Sequence, residues 1–156
     1  MENNSTISLK GIWKLTLRDI ITGVERVFVY ENLIPTVGRA AIADHLTNPT
    51  PSPTALRINY TALGTGTNAP ANADTILQTE TFRKATASET NADNVAFITA
   101  FYTASEVSGT FREAGLFIEG TATVDTGTLF SRIAINITKS VTETLTIDYT
   151  VTITSS

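Results

Sequence analysis

Apolar and polar residues alternate through "ISLKGIWKLTL". Ile7, Leu9, Trp13, Leu15 and Leu17 share one face; Lys10, Lys14, Thr16 and Arg18 share the other, with Ile12 the exception. A period of two over this length predicts a half-buried strand. "DIITG" reads as a turn, and Val24 to Tyr30 as a second strand with Val24, Arg26, Phe28 and Tyr30 on one face. The two make a predicted β-hairpin over about 7–30. The period then changes. In "IPTVGRAAIADHLTN", Val37, Ala41, Ile42, His45 and Leu46 recur at helical spacing. A short helix over about 37–47 is expected, with Thr36 as N-cap and a stop at Asn48-Pro49.

"NPTPSPT" is a loop. Alternation resumes over Leu56 to Leu63, with Leu56, Ile58, Tyr60 and Ala62 on one face. "GTGTNAPANAD" is a second loop, and Asp74 is placed to cap a helix of one or two turns over "TILQTE". From Glu80 onward the chain reads as strand. Val95 to Tyr102 is apolar on both faces and is expected at the centre of a sheet. Strands over 116–119, 128–138 and 142–154 follow. In the last, Leu145, Ile147, Tyr149, Val151 and Ile153 should point inward, opposite a face of Thr144, Thr146, Asp148, Thr150 and Thr152. Many short strands broken by Gly, Pro and Asn predict a mainly β fold: an antiparallel β-sandwich or open barrel with one or two short helices. One β-rich domain over 1–156 is expected, with its main β module at about 56–154.

Composition narrows the functions. At 156 residues the chain can bury a sizeable core without a staple. It has no cysteine, so disulfides and thiolate metal sites are excluded. Eleven Lys and Arg against 15 Asp and Glu give a net charge of -4, and the cations are scattered. No basic stripe is available to follow a nucleic-acid backbone. The start, "MENNSTISLK", is polar and lacks the apolar core of a secretion signal, and no apolar run reaches membrane-spanning length. Synthesis in the cytoplasm follows, with no membrane partner. Only 17% of residues are charged, and threonine fills the polar strand positions. Such charge-poor faces suggest assembly, since soluble monomers usually intersperse more charge. Lys10, Lys14 and Arg18 could blunt an edge at the first strand. The last strand has only Asp148 near its centre, so its edge is expected to be paired or covered, including by another subunit. The polar N-terminus is expected to be held by contacts in an assembly.

Candidate chemistry is sparse. His45 is the only histidine, and no second histidine stands near to share a metal. It reads as a partly buried helix residue. Gly64 and Gly66 lack the pattern of a phosphate cradle and are expected to provide positive φ in a tight exit from a strand. Asn59 and Asn136 begin N-x-T triplets that have no secretion signal to give them meaning. The stretch "TFREAGLFIEG" places Arg112 and Glu113 in an otherwise apolar strand. Arg112 shares a face with Ala114, Leu116 and Ile118; Glu113 shares the other with Phe111, Gly115 and Phe117. A catalytic Glu113 would need a second carboxylate, and nothing in the spacing selects among Glu119, Glu143 and Asp148. A buried carboxylate must be paired. Glu113 is therefore expected to meet an arginine from another element, Arg83 or Arg132. The alternative is that Arg112 and Glu113 mark an exposed strand entrance. Gly115 leaves a gap for a neighbouring backbone or aromatic ring.

Three stretches carry a family likeness. They are "NLIPTVGRAAIADHL", "YTALGTGTNAPANADTILQTETFRK" and "FREAGLFIEGTATVDTGTLFSRIAINITKSVTETLTIDYTVTI". A GTGT-x-x-P loop leads to Asp, Leu and Glu-x-x-Arg. An E-A-G-L-F strand is followed by a G-x-L-F-x-R strand, here Gly127, Leu129, Phe130 and Arg132, and by a closing Lys-x-x-x-x-Thr-Leu-Thr strand. In order and spacing the set resembles small tail and tail-fibre-like structural proteins of tailed bacteriophages, over about 32–153. The resemblance implies a non-enzymatic virion subunit present in many symmetric copies. Its partners would be copies of itself and other virion proteins. It implies no catalytic residue; the lone His, the absent Cys and the dispersed acids argue that no metal or cofactor is needed, and no small-molecule ligand is expected. The chain lacks the repetitive shaft of a receptor-binding fibre, which favours a compact subunit in tail, baseplate or neck. A head (capsid) decoration protein is the first alternative. A carbohydrate-binding β-sandwich adhesin module is the second, although Trp13, the only tryptophan, falls on an inward face. A small hydrolase is the weakest reading.

Overall fold

The computed structural model describes residues 6–155. Expectations for the N-terminal segment before Thr6 lie outside the described residues. The elements are β1 (Ile7–Asp19), β2 (Glu25–Glu31), α1 (Thr36–Thr47), β3 (Ile58–Gly64), β4 (Glu80–Ala85), β5 (Ser88–Ala92), β6 (Val95–Tyr102), β7 (Gly109–Ile118), β8 (Thr128–Lys139) and β9 (Glu143–Ser155). They form two antiparallel sheets, ordered β2-β1-β9-β6-β5 and β4-β3-β7-β8. The architecture is a β-sandwich with one short helix. No helix among the described residues is long and apolar enough to cross a membrane.

The alternation read from the sequence becomes the inter-sheet core. Trp13, Leu15 and Leu17 of β1 and Leu145, Ile147, Tyr149 and Val151 of β9 are buried against Ala114, Leu116 and Ile118 of β7 and Ile133, Ile135 and Ile137 of β8. Polar atoms inside this layer are matched. Trp13 Nε1 donates to Ser131 Oγ at 2.9 Å, and Asn32 Nδ2 donates to Ser131 Oγ and to Tyr149 Oη. Ile7 and Ile153 fall on the inward parity but are exposed, because the core ends before that end of the β1–β9 ladder.

Several expectations change. β9 is the central strand of its sheet, paired on both sides by β1 and β6, and β1 lies between β2 and β9. Neither is an edge, so neither needs blunting or a second subunit to cover it. β6 is interior to its sheet but buried on one face only. Phe97 and Phe101 point to the outer face and are exposed, as are Val27 and Val29 of β2. No helix or strand covers that outer face among the described residues.

Of the four ladder irregularities among the described residues, two change facings read from the sequence. In β3 a register shift between Ile58 and Tyr60 separates them: Ile58 joins the inter-sheet core, while Tyr60 and Ala62 face the outside of the sheet. Asn59 sits at the shift, accepting from Gly120 N at 2.8 Å and donating to Gly120 O at 3.0 Å. In β7 a shift between Phe111 and Glu113 puts Phe111 in the inter-sheet core with Ala114, Leu116 and Ile118. Phe111 therefore does not share the face of Glu113, and Arg112, at the irregularity, is exposed.

The helix begins at Thr36, with Pro35 in the N-cap position and no side-chain cap. Thr36 is therefore the first helical residue rather than the cap. The helix docks on β8 through Gly38 and Ala41. A Cβ on Gly38 would lie 3.0 Å from Leu129 O and from the Phe130 backbone, so glycine eases the close approach of the helix. Leu46 projects to solvent because the contact face is small-residue, not a broad apolar stripe.

Candidate functional site

The outer face of the β4-β3-β7-β8 sheet carries the loop 65–79, and α1 docks on the edge strand β8 with Val37 reaching this face. Beneath that loop lies a small apolar cluster of Ala62, Leu77, Phe117 and Leu129. Leu77, rather than a backbone or an aromatic ring, makes the nearest approach to Gly115: a Cβ there would lie 2.9 Å from Leu77 Cδ2.

Glu113 stands beside this cluster with its side chain fully buried. Its Oε1 accepts from Gly66 N at 3.0 Å and Thr79 N at 2.7 Å. Its Oε2 accepts from Gln78 N at 2.9 Å and from Arg132 Nη2 and Nε at 2.9 and 3.2 Å. Of the two candidate arginines, Arg132 is the partner. β7 and β8 are neighbours, and Arg132 lies across from Gly115, two residues along the same face. Its guanidinium is also buried and continues the network, with Nη1 2.5 Å from Asp74 Oδ2 and Nη2 donating to Asn68 O at 3.1 Å. β7 thus holds the loop at both ends through the Glu113 carboxylate, and β8 holds its middle through the Arg132 guanidinium.

Asp74 was expected to cap a helix. Residues 75–79 form no helix, and Asp74 instead accepts from Ala71 N and pairs with Arg132. The ion pair and the carboxylate-bound amides of Gln78 and Thr79 fix an irregular path that a helix could not follow. Gly64 and Gly66 are likewise not in positive φ. A Cβ on Gly64 would lie 2.5 Å from Thr79 O, and one on Gly66 would collide with Glu113 Oε1. These glycines serve close approach of the loop to the carboxylate.

Arg83 forms a second network. Its Nε and Nη2 reach Glu80 Oε1 and Oε2 at 2.5 and 2.7 Å, a two-point ion pair with both side chains buried. Its Nη1 donates to Thr121 O, Thr126 O and Thr126 Oγ1. Its guanidinium carbon lies 4.6 Å from the Phe117 ring centroid. Arg83 thus pins the loop 119–127, not Glu113.

Sequence reasoning took in Lys139 only as the lysine of the closing Lys-x-x-x-x-Thr-Leu-Thr motif and missed its burial. It is buried at the end of β8, and its Nζ donates to Val107 O at 2.6 Å and Ala104 O at 3.1 Å. Burial pushes its pKa below the usual lysine value. The signal was its place at the end of the alternating strand 128–139.

The remaining acids do not converge. Glu119 accepts from Ala55 N and bonds Thr54 Oγ1, Glu143 pairs with Arg26 at 2.7 Å, and Asp148 accepts from Thr99 Oγ1 on the opposite sheet. None stands with Glu113. His45 is half-buried, its Nε2 2.8 Å from Pro53 O. Among the described residues no group of three or more His, Asp or Glu is placed to hold a metal ion.

No family model matches the chain, and comparisons with curated proteins and with solved structures return no match.

Proposed function

We propose that the protein is a non-enzymatic structural subunit of a tailed-phage virion, in the tail, baseplate or neck, and that it works by assembling into a homo-oligomer. One observation carries the reading. The residues of the resembling motifs converge on architecture: the GTGT loop, Glu113 of E-A-G-L-F and Arg132 of G-x-L-F-x-R meet in one buried network. Both Glu113 oxygens are occupied by donors from the chain itself. A general acid or base needs a free path to a substrate proton; this carboxylate is spent on holding a loop. Exposed apolar residues at both ends of the sandwich and on its uncovered sheet agree with a subunit that meets others.

The test is to purify virions of the phage encoding the chain and locate it by mass spectrometry and electron cryomicroscopy. Symmetric copies in the tail, baseplate or neck are expected. Copies spread over the capsid surface would assign the head decoration role instead, and absence from the virion would overturn the reading.

A further inference from the structure

Both sheets and the helix contribute to an apolar cavity of about 300 Å³. Ile58 of β3 and Phe130 of β8 line it from one sheet, Ile98 of β6 and Val151 of β9 from the other, and all four are buried. Ile42 of α1 and Ala96 of β6 also line it. Leu56, Phe97 and Ile153 are the exposed apolar members of the lining, at 39%, 41% and 47%, and they mark the mouth. Nothing in the sequence announces the cavity, because its wall is assembled from segments scattered between Leu9 and Ile153.

Size and lining define what fits. Water in a cavity needs polar partners, whereas a dry apolar cavity of about 150 Å³ takes up benzene. Here the buried wall is hydrocarbon and the volume is about twice as large. It meets the lower limit of about 300 Å³ for small-molecule sites, which are mostly apolar with a few polar groups that fix orientation.

The polar groups sit at the rim. Arg57, Glu89 and Thr90 are the polar residues of the lining. Arg57 Nη2 and Nε donate to Glu89 Oε2 at 2.8 and 3.2 Å, and Glu89 Oε1 accepts from Thr86 Oγ1. Both carboxylate oxygens are engaged, while Arg57 Nη1 has no hydrogen-bond partner among the described residues. The rim therefore offers a donor but no net charge. A ligand carboxylate would set two carboxylates around one guanidinium, and a ligand ammonium would find Glu89 already paired. An uncharged oxygen acceptor satisfies both conditions.

We propose that the cavity binds a small uncharged amphiphile, with a hydrocarbon body of about ten carbons inside and a hydroxyl or carbonyl oxygen at the rim accepting from Arg57 Nη1. The site does not depend on assembly and goes beyond the structural role proposed above.

Straight-chain 1-alkanols from hexanol to dodecanol are the probes, titrated into the full chain and followed by methyl NMR. The resonances of Ile58, Ile98 and Val151 should shift together and saturate. Affinity should rise about fourfold per added methylene, as for one buried CH₂, and stop rising near decanol, where the cavity is full. Decanoate and decylammonium should bind about tenfold more weakly than decanol. Ala96→Leu, which fills the cavity, and Ile153→Asp, which puts a charge at its mouth, should each weaken decanol binding by about tenfold or more. Ile153 is exposed, so its variant should melt with the wild type. Methyl resonances that do not move, affinity that climbs undiminished to dodecanol as on an open apolar surface, or decanol binding untouched in both variants would overturn the proposal. Decanoate binding as tightly as decanol would overturn the uncharged head group. Decanol binding that disappears as the chain self-associates would give the cavity to a second copy instead. A chain that binds decanol in this way but never self-associates would remove the assembly reading and leave this one standing.

Discussion

Glu113 shows what a charge inside a sandwich can be for. Burying a lone carboxylate is prohibitive, and removing one member of a buried, hydrogen-bonded ion pair strands the other. Five donated hydrogen bonds offset the burial here. Glu113→Ala should therefore lower the unfolding free energy by about 3–5 kcal/mol in urea titration, and Glu113→Gln by less. An unchanged midpoint for both would contradict the network. Gly66→Ala should destabilise by about 1–3 kcal/mol as an overpacked site. That loss should shrink in the Glu113→Ala background, because the Glu113 carboxylate is one of the groups the new methyl would strike. Strict additivity of the two substitutions would show that Gly66 has another role. The pairing of Glu113 was legible because a carboxylate in an apolar strand demands a cation. The choice of Arg132 over Arg83 was not, since parity gives a face but not the neighbouring strand. Asp74 was misread because its local sequence suits a helix cap, while its partner lies 58 positions away.

At the scale of elements, period-two alternation was decisive wherever a strand has one core face. β1 and β9 lie close to where the alternation put them, and Leu145, Ile147, Tyr149 and Val151 are buried. Bulges were invisible, because an extra residue changes facing without changing composition. That is why Tyr60 left the core face and Phe111 joined it. The apolar run 95–102 suggested two covered faces, but hydrophobicity does not reveal whether the second face meets its own chain or solvent. The β1–β2 turn makes its own prediction. Hydrogen bonds from Thr22 N, Thr142 Oγ1 and Ile21 N lower the Asp19 pKa from 3.8 to about 2. The folded value is below the unfolded one, so these contacts stabilise fully above about pH 4 and are lost as pH falls through about 2. The amide resonances of Ile21 and Thr22 should titrate with a midpoint near 2. A midpoint near 4 would mean that Asp19 does not hold the tip.

For the whole molecule, the two faces of the sandwich carry different burdens. One sheet is overlain by loops tied down through Glu113, Arg132, Arg83 and Glu80, with α1 docked on its edge strand β8. The other is left with Val27, Val29, Phe97 and Phe101 exposed among threonines, and both ends expose aliphatic side chains. A stable scaffold bearing unpartnered apolar surface is suited to joining other subunits. The central claim is that the protein acts by assembling, and its most direct test is the mass of the purified chain over a wide concentration range, by sedimentation or light scattering. The account predicts a defined multiple of the 16.7 kDa subunit that dissociates on dilution. A single 16.7 kDa species at every concentration, binding no other protein, would contradict it.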